Sequence, residues 1–154
     1  METNYQKLER RLEETSRLGG IMGILHWDQE VIMPSGAAES RARQMGVLAG
    51  TIHEKSTDPK LGKLLDALDK ENSFNAFEEC NIREARREYD METKVPKDLV
   101  MKLAELSSKG HQVWVKARSE NKFSDFAPLL KQLVELKKRW AEYVSPELPS
   151  YDAN

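Results

Sequence analysis

The chain has little of what most chemistry is built on, with one cysteine, Cys80, and three histidines among 154 residues. A lone cysteine cannot close an internal disulfide, and paired-cysteine zinc sites are impossible, so a reducing, cytoplasmic setting is expected. No sign of charge dominates. Twenty-four Lys and Arg stand against 26 Asp and Glu, a formal net charge of −2, and the interspersed signs argue against a dedicated nucleic-acid surface. The longest apolar run, Gly19 to Leu25, is seven residues, far short of the roughly 20 that span a bilayer. The start Met1-Glu2-Thr3-Asn4 is wrong for a secretory signal. Strand-like alternation, internal repeats and low-complexity tracts are absent as well.

What is present is helical periodicity. Tyr5, Leu8, Leu12, Leu18, Ile21, Met22 and Leu25 recur at helical spacing with Glu and Arg on the opposite face, predicting a first helix capped by Thr3 or Asn4. Gly19, Gly20 and Gly23 each cost about 1 kcal/mol against alanine inside a helix. They predict either close approach of another backbone or a break near Gly19. Pro34 ends the run, because a proline pushes the residue before it out of the helical region. Ser35 or Gly36 is then placed to cap a second helix, whose seam of Ala38, Ala42, Met45, Ala49 and Ile52 allows tight pairing. Asp58-Pro59 reads as an N-cap followed by proline at the first helical position. A short third helix carries Leu61, Leu64, Leu65 and Leu68 to a break at Asn72-Ser73. Phe74, Phe77, Ile82, Ala85 and Tyr89 form a fourth stripe beside a charged run, Arg83 to Glu88, read as solvated. Val95-Pro96 opens a fifth helix with Leu99, Leu103, Leu106, Val113 and Ala117 on one face and Gly110 marking a close contact or kink. Ser124 is positioned to cap a last helix bearing Phe126 to Tyr143, ended by Ser145-Pro146. The expectation is a single all-α domain over residues 1–154, an antiparallel bundle of five or six helices without a sheet.

The chemically dense stretch is Ile24 to Pro34, reading I-L-H-W-D-Q-E-V-I-M-P. His26 and Glu30 stand four apart and could supply two ligands of a mixed nitrogen and oxygen metal site. Nothing else in the chain completes the set. A polar helix end beside a tryptophan is the commoner meaning, so no metal ligand and no catalytic residue is assigned. His53-Glu54 opens like a zinc-binding H-E-x-x-H helix, but Thr57 occupies the second histidine's place. The Glu-x-x-His pattern of di-iron helices is absent too. Cys80 lies among Glu78, Glu79 and Asn81, surroundings that disfavour a thiolate, and it reads as a filler residue. Gly19-Gly20 with Gly23 lacks the strand and the Lys-Ser/Thr of a phosphate loop. Trp27, Trp114 and Trp140 read as core anchors.

The block Leu25-His26-Trp27-Asp28-Gln29, followed by Met33-Pro34, a Gly-Ala step and Glu39-Arg41-Gln44, resembles the opening of the carboxypeptidase Taq family of metallopeptidases. Val95-Pro96, Val113-Trp114 with Ala117-Arg118, Phe123 to Leu129 and Pro149 to Ala153 follow in the order of that family. The resemblance implies long, mostly helical enzymes that remove C-terminal residues from peptides with zinc or another divalent metal. An H-E-x-x-H helix supplies two histidine ligands and a general-base glutamate. That motif is missing here. The resemblance therefore implies the N-terminal helical part of such an enzyme, a wall or lid of the substrate groove, binding no cofactor and inactive by itself. Peptide substrate enters only with the full-length enzyme. Trp27, Asp28, Gln29, Trp114 and Arg118 are expected to act as a structural signature, with Trp27 anchoring the turn between the first two long helices. The rival expectation is a stand-alone helical module for protein interaction or oligomerisation. Faces left bare favour association, which predicts a homo-oligomer, a dimer through helix faces, with neither nucleic acid nor membrane as partner.

Overall fold

Thr3 starts the first helix as expected. Its hydroxyl accepts from the Gln6 N–H while the Gln6 side chain accepts from the Thr3 N–H, closing a capping box that satisfies two otherwise orphaned donors. The computed structural model describes residues 2–152. Met1 and Ala153, used in the sequence reading, lie outside the described residues, as does Asn154. Six α-helices follow in order: α1 (Asn4–Val31), α2 (Ala38–Ser56), α3 (Pro59–Leu68), α4 (Ala76–Glu92), α5 (Lys97–Ser119) and α6 (Phe123–Val144). The described residues contain no strand, so the all-α expectation holds.

Successive helices fold back on one another. Lys55 reaches Glu14 and Arg41 reaches Asp28, which sets α1 and α2 antiparallel. Lys97 reaches Glu54, doing the same for α2 and α5. The α2–α5 pairing is the most extensive in the molecule, and its seam is made of Ala42, Met45, Gly46, Ala49 and Gly50, all buried. A Cβ on Gly46 would lie 3.3 Å from the Met101 carbonyl oxygen, so the small residues let two backbones close in. α6 then packs along α5, where a Cβ on Gly110 would meet Leu129 Cδ2 at 3.0 Å. The expected close contact at Gly110 is real.

A second centre of burial lies at the other end. Tyr5 and Leu8 of α1, Leu61, Leu65 and Leu68 of α3, and Ile82 and Ala85 of α4 form one apolar cluster. Asp58 caps α3 by accepting from the Lys60 N–H, with Pro59 at the first helical position. That hydrogen bond, and after it the Arg11 guanidinium, hold the Asp58 carboxyl below its ordinary range.

Several local expectations are corrected. Helix α1 runs unbroken through Gly19, Gly20 and Gly23, and nothing stands within 4 Å of a Cβ placed at any of them. They meet no neighbouring backbone. Ser35 to Ala37 form a 3-10 turn and neither Ser35 nor Gly36 caps α2 by its side chain. Helix α6 starts one residue before Ser124, with Lys122 in the cap position and no side-chain cap. Helix α4 starts at a capping box between Asn75 and Glu78. Phe77 is exposed, and the charged run is not wholly solvated, because the half-buried Arg86 reaches Asp66 at 2.7 Å and Asp69 at 2.9 Å, fastening α4 to α3.

Candidate functional site

The block Ile24 to Pro34 occupies the last turns of α1 and its exit. At about 100° per residue, Leu25 and Gln29 fall on one face while Gly20, Ile24, Trp27 and Val31 fall on another. The first face is inside. Gln29 is buried; its amide donates to the Ser108 carbonyl at 3.3 Å, and the Ser108 hydroxyl donates back to the Gln29 side-chain oxygen. This reciprocal pair ties α1 to α5. A buried amide left unpaired costs about 1–3 kcal/mol, so Gln29 and Ser108 specify each other.

Asp28 stands beside the turn. Arg41, at the start of α2, donates one guanidinium nitrogen to the Asp28 carboxylate at 2.5 Å and another to the Leu25 carbonyl at 2.7 Å. The Arg41 side chain is only 13% exposed, which places this pair among the less screened ion pairs of the molecule. The turn between α1 and α2 is therefore held by Arg41 and Asp28. Trp27, expected to anchor it, is 56% exposed and carries no burial of that kind. The physical reason is rotational: Trp27 lies two residues beyond the inward Leu25, about 200° around the helix. Its neighbours Ile24, Val31 and Ile32 are exposed too.

The other singled-out residues are dispersed. Trp114 is 47% exposed on α5, its ring centroid 6.3 Å from that of His111, and Arg118 is exposed near the helix end. Trp140 is half-buried, so one tryptophan of three approaches an anchor's position. Cys80 is exposed and does not fill the core; Arg83 donates to its sulfur at 3.3 Å. Sequence spacing had no way to pair Gln29 with Ser108, 79 residues apart.

A metal is not matched by the donors present. His26 Nδ1 lies 3.0 Å from the Met22 carbonyl oxygen of its own helix, and Glu30 is exposed. Among the described residues no group of three or more His, Cys, Asp or Glu side chains is arranged to hold a metal ion. His53 is buried on α2, with its Nδ1 4.0 Å from a Glu92 carboxylate oxygen of α4. Burial pushes the Glu92 carboxyl up, against a hydrogen bond from Ser56 and the attraction of His53. No helix among the described residues is long and apolar enough to cross a membrane.

Residues 7–153 match the family described as Carboxypeptidase Taq (M32) metallopeptidase. Thermostable carboxypeptidase 1 of Thermus thermophilus is 32% identical over 144 residues, which is 92% of this chain and 28% of that protein. Carboxypeptidase 1 of Bacillus subtilis is 28% identical over 143 residues, again 92% of this chain and 28% of that one. Among solved structures, that of BsuCP superposes with a TM-score of 0.92 at 26% identity, covering 97% of this chain and 30% of its own. The M32 carboxypeptidase from Deinococcus radiodurans gives a TM-score of 0.70 at 33% identity, covering 94% and 29%. The chain thus spans 28% of the length of the first two relatives. With the helical order shared with the superposed carboxypeptidase and a family match over residues 7–153, the chain belongs to the carboxypeptidase Taq (M32) metallopeptidase family and corresponds to its N-terminal helical region.

Proposed function

We propose that these six helices serve as a wall or lid of the peptide-binding groove in a metal-dependent carboxypeptidase that cleaves C-terminal residues, and that they are inactive by themselves. The observation that carries this reading is the bare apolar face of α1. Ile24, Trp27 and Val31 are exposed beside Gly20 and Gly23, in a chain that matches under a third of its relatives' length. Glycines flanking large apolar side chains are what a helix presents when another element packs closely on it. In this reading Asp28 and Arg41 set the angle of α1, Gln29 fixes it to α5, and Trp27 meets the catalytic part. Trp114 and Arg118 complete the signature on α5. Zinc or another divalent metal would be held by the H-E-x-x-H region of the family, because the donors of these residues do not form a site.

The test is a chimera in which residues 7–153 replace the matching stretch of the Thermus thermophilus enzyme. Trp27→Asp should lower its peptide hydrolysis and its thermal midpoint together, whereas unchanged turnover and midpoint would sink the reading. The chain alone, given zinc or cobalt, should not turn over a peptide. Turnover surviving controls for contaminating protease would overturn its inactivity.

The stand-alone interaction reading draws on the same face. In the isolated chain Ile24, Trp27 and Val31 have no other cover, so a homodimer through α1 is the expected state. Light scattering that returns a clean monomer at high concentration would count against it. The single cysteine is in keeping with a cytoplasmic setting.

A further inference from the structure

A groove of about 660 Å³ runs between α1, the end of α2 and α4, and carboxylates line it: Glu14, Glu54, Asp58, Glu88 and Glu92. Three are neutralised in place, Glu14 by Lys55 at 2.7 Å, Glu54 by Lys97 at 2.5 Å and Asp58 by Arg11 at 3.0 Å. Glu88 and Glu92, one turn apart on α4, form no ion pair with a lysine or arginine among the described residues; Glu92 accepts a hydrogen bond from Ser56 and stands 4.0 Å from His53. Behind Glu92 lies an apolar cavity of about 300 Å³, walled by Met22, Met91, Val95, Val100 and Trp140. His53 also lines it, is only 7% exposed, and turns its Nδ1 toward Glu92 across 4.0 Å.

Two features therefore meet at one place. One is an apolar cavity at the small end of the range that takes ligands, about 300–1,000 Å³. The other is a pair of polar groups, Glu92 and His53, set 4.0 Å apart, too far to satisfy each other and close enough for one donor group to bridge. A partly buried carboxylate with no lysine or arginine beside it favours a cation that comes to it. An anionic ligand would be repelled by Glu88 and Glu92. A neutral one would leave the charge of Glu92 uncompensated, and a metal ion would lack a third donor.

We propose that this cavity binds an organic cation with an apolar body: a primary ammonium or guanidinium whose head bridges Glu92 and His53, with Glu88 at the mouth and the hydrocarbon or ring against Trp140 and Met91. A free amine and the side chain of a peptide lysine or arginine share this chemistry. The tryptophan face adds cation–π attraction and the methionines adapt to the ring.

The probes are 2-phenylethylammonium, its neutral isostere 2-phenylethanol, and Nα-acetyl-lysine methylamide, titrated into the chain and followed by amide chemical shifts. Saturable shifts at Ile52, His53 and Glu92 are expected with the ammonium ion, and binding of the alcohol should be about fivefold weaker, the worth of one partly screened ion pair. Saturation by the lysine derivative at similar concentration would identify the peptide side chain as the source. Its failure beside a binding amine would identify a free amine. Glu92→Gln should remove most of the amine's advantage over the alcohol. Glu88→Gln, at an exposed position, should weaken the amine alone and by less. Equal binding of amine and alcohol by the wild-type chain, or no saturable shift with any cation, overturns the proposal. Neither result bears on the groove-wall reading, which concerns the opposite face of α1.

Discussion

The two halves of α1 are built from similar residues and meet opposite fates. In the first half Tyr5 and Leu8 sit in the cluster with α3 and α4, Leu8 with no exposure at all. In the second half Ile24, Trp27 and Val31 are at least as apolar, and all remain exposed. One unbroken helix carries both. Hydropathy therefore does not separate them; the supply of partners does. α3 and α4 fold back over the first half, whereas α2 and α5 cover only the Leu25 and Gln29 side of the second.

The sharpest way to break this comparison is a pair of truncations. Leu8→Ala should cost about 3–5 kcal/mol, the range for a fully buried leucine whose cavity cannot collapse, read as a lowered urea midpoint. Trp27→Ala in the isolated chain, diluted until it is monomeric, should cost under about 1 kcal/mol, because little of its surface is removed from water there. A loss for Trp27 matching that for Leu8 would show that the second half is covered after all.

Between these extremes lies the polar tie. Gln29→Ala strands the Ser108 hydroxyl and carbonyl, and about 1–3 kcal/mol of stability should go with it, while replacing both residues should restore part of the loss. Additive losses in that double-mutant cycle would mean that the two residues do not act as a pair.

The smallest effect expected is electrostatic. Burial raises the Glu92 carboxyl in the folded chain, so the folded state holds that proton more tightly than the unfolded one. The contribution is favourable in acid and is lost as pH rises through the folded value. Glu92→Gln removes this dependence, and the variant should gain stability relative to wild type on going from acid to neutral pH. Asp58 acts in the opposite sense, since its lowered carboxyl stabilises the fold at neutral pH and ceases to do so in acid. Asp58→Asn should therefore narrow its deficit as the solution is acidified.

The helices were legible because their signals are local. Thr3 with Gln6, Asp58 with Pro59, and Pro34, Pro96 and Pro146 each act within a turn or two of chain, and each boundary fell where those residues put it. Ser35 and Ser124 misled because a serine near a helix start is permitted, not obliged, to cap it. The glycines divided along another line. Gly46, Gly50 and Gly110 face a neighbouring helix, while Gly19, Gly20 and Gly23 face none, and composition is the same in both cases. The candidate site fared similarly: the density of the H-W-D-Q-E block was visible, its wiring was not. Arg41 to Asp28 spans a turn whose angle had to form first, and Gln29 to Ser108 waits on the docking of α5 against α1.

The sequence by itself determined an all-helical chain, the helix boundaries set by Thr3, Asp58-Pro59 and the prolines, and the residues through which it resembles the carboxypeptidase Taq family. Those follow from caps, prolines and periodicity, which act over a few residues and need no partner. Only the tertiary structure decided that Arg41 holds the turn in place of Trp27, that His53 and Glu92 face one cavity from different helices, and that one side of α1 stays bare. Burial and pairing are set by which faces the packed helices turn toward each other, a rotation of a few tens of degrees that no single stretch of sequence carries.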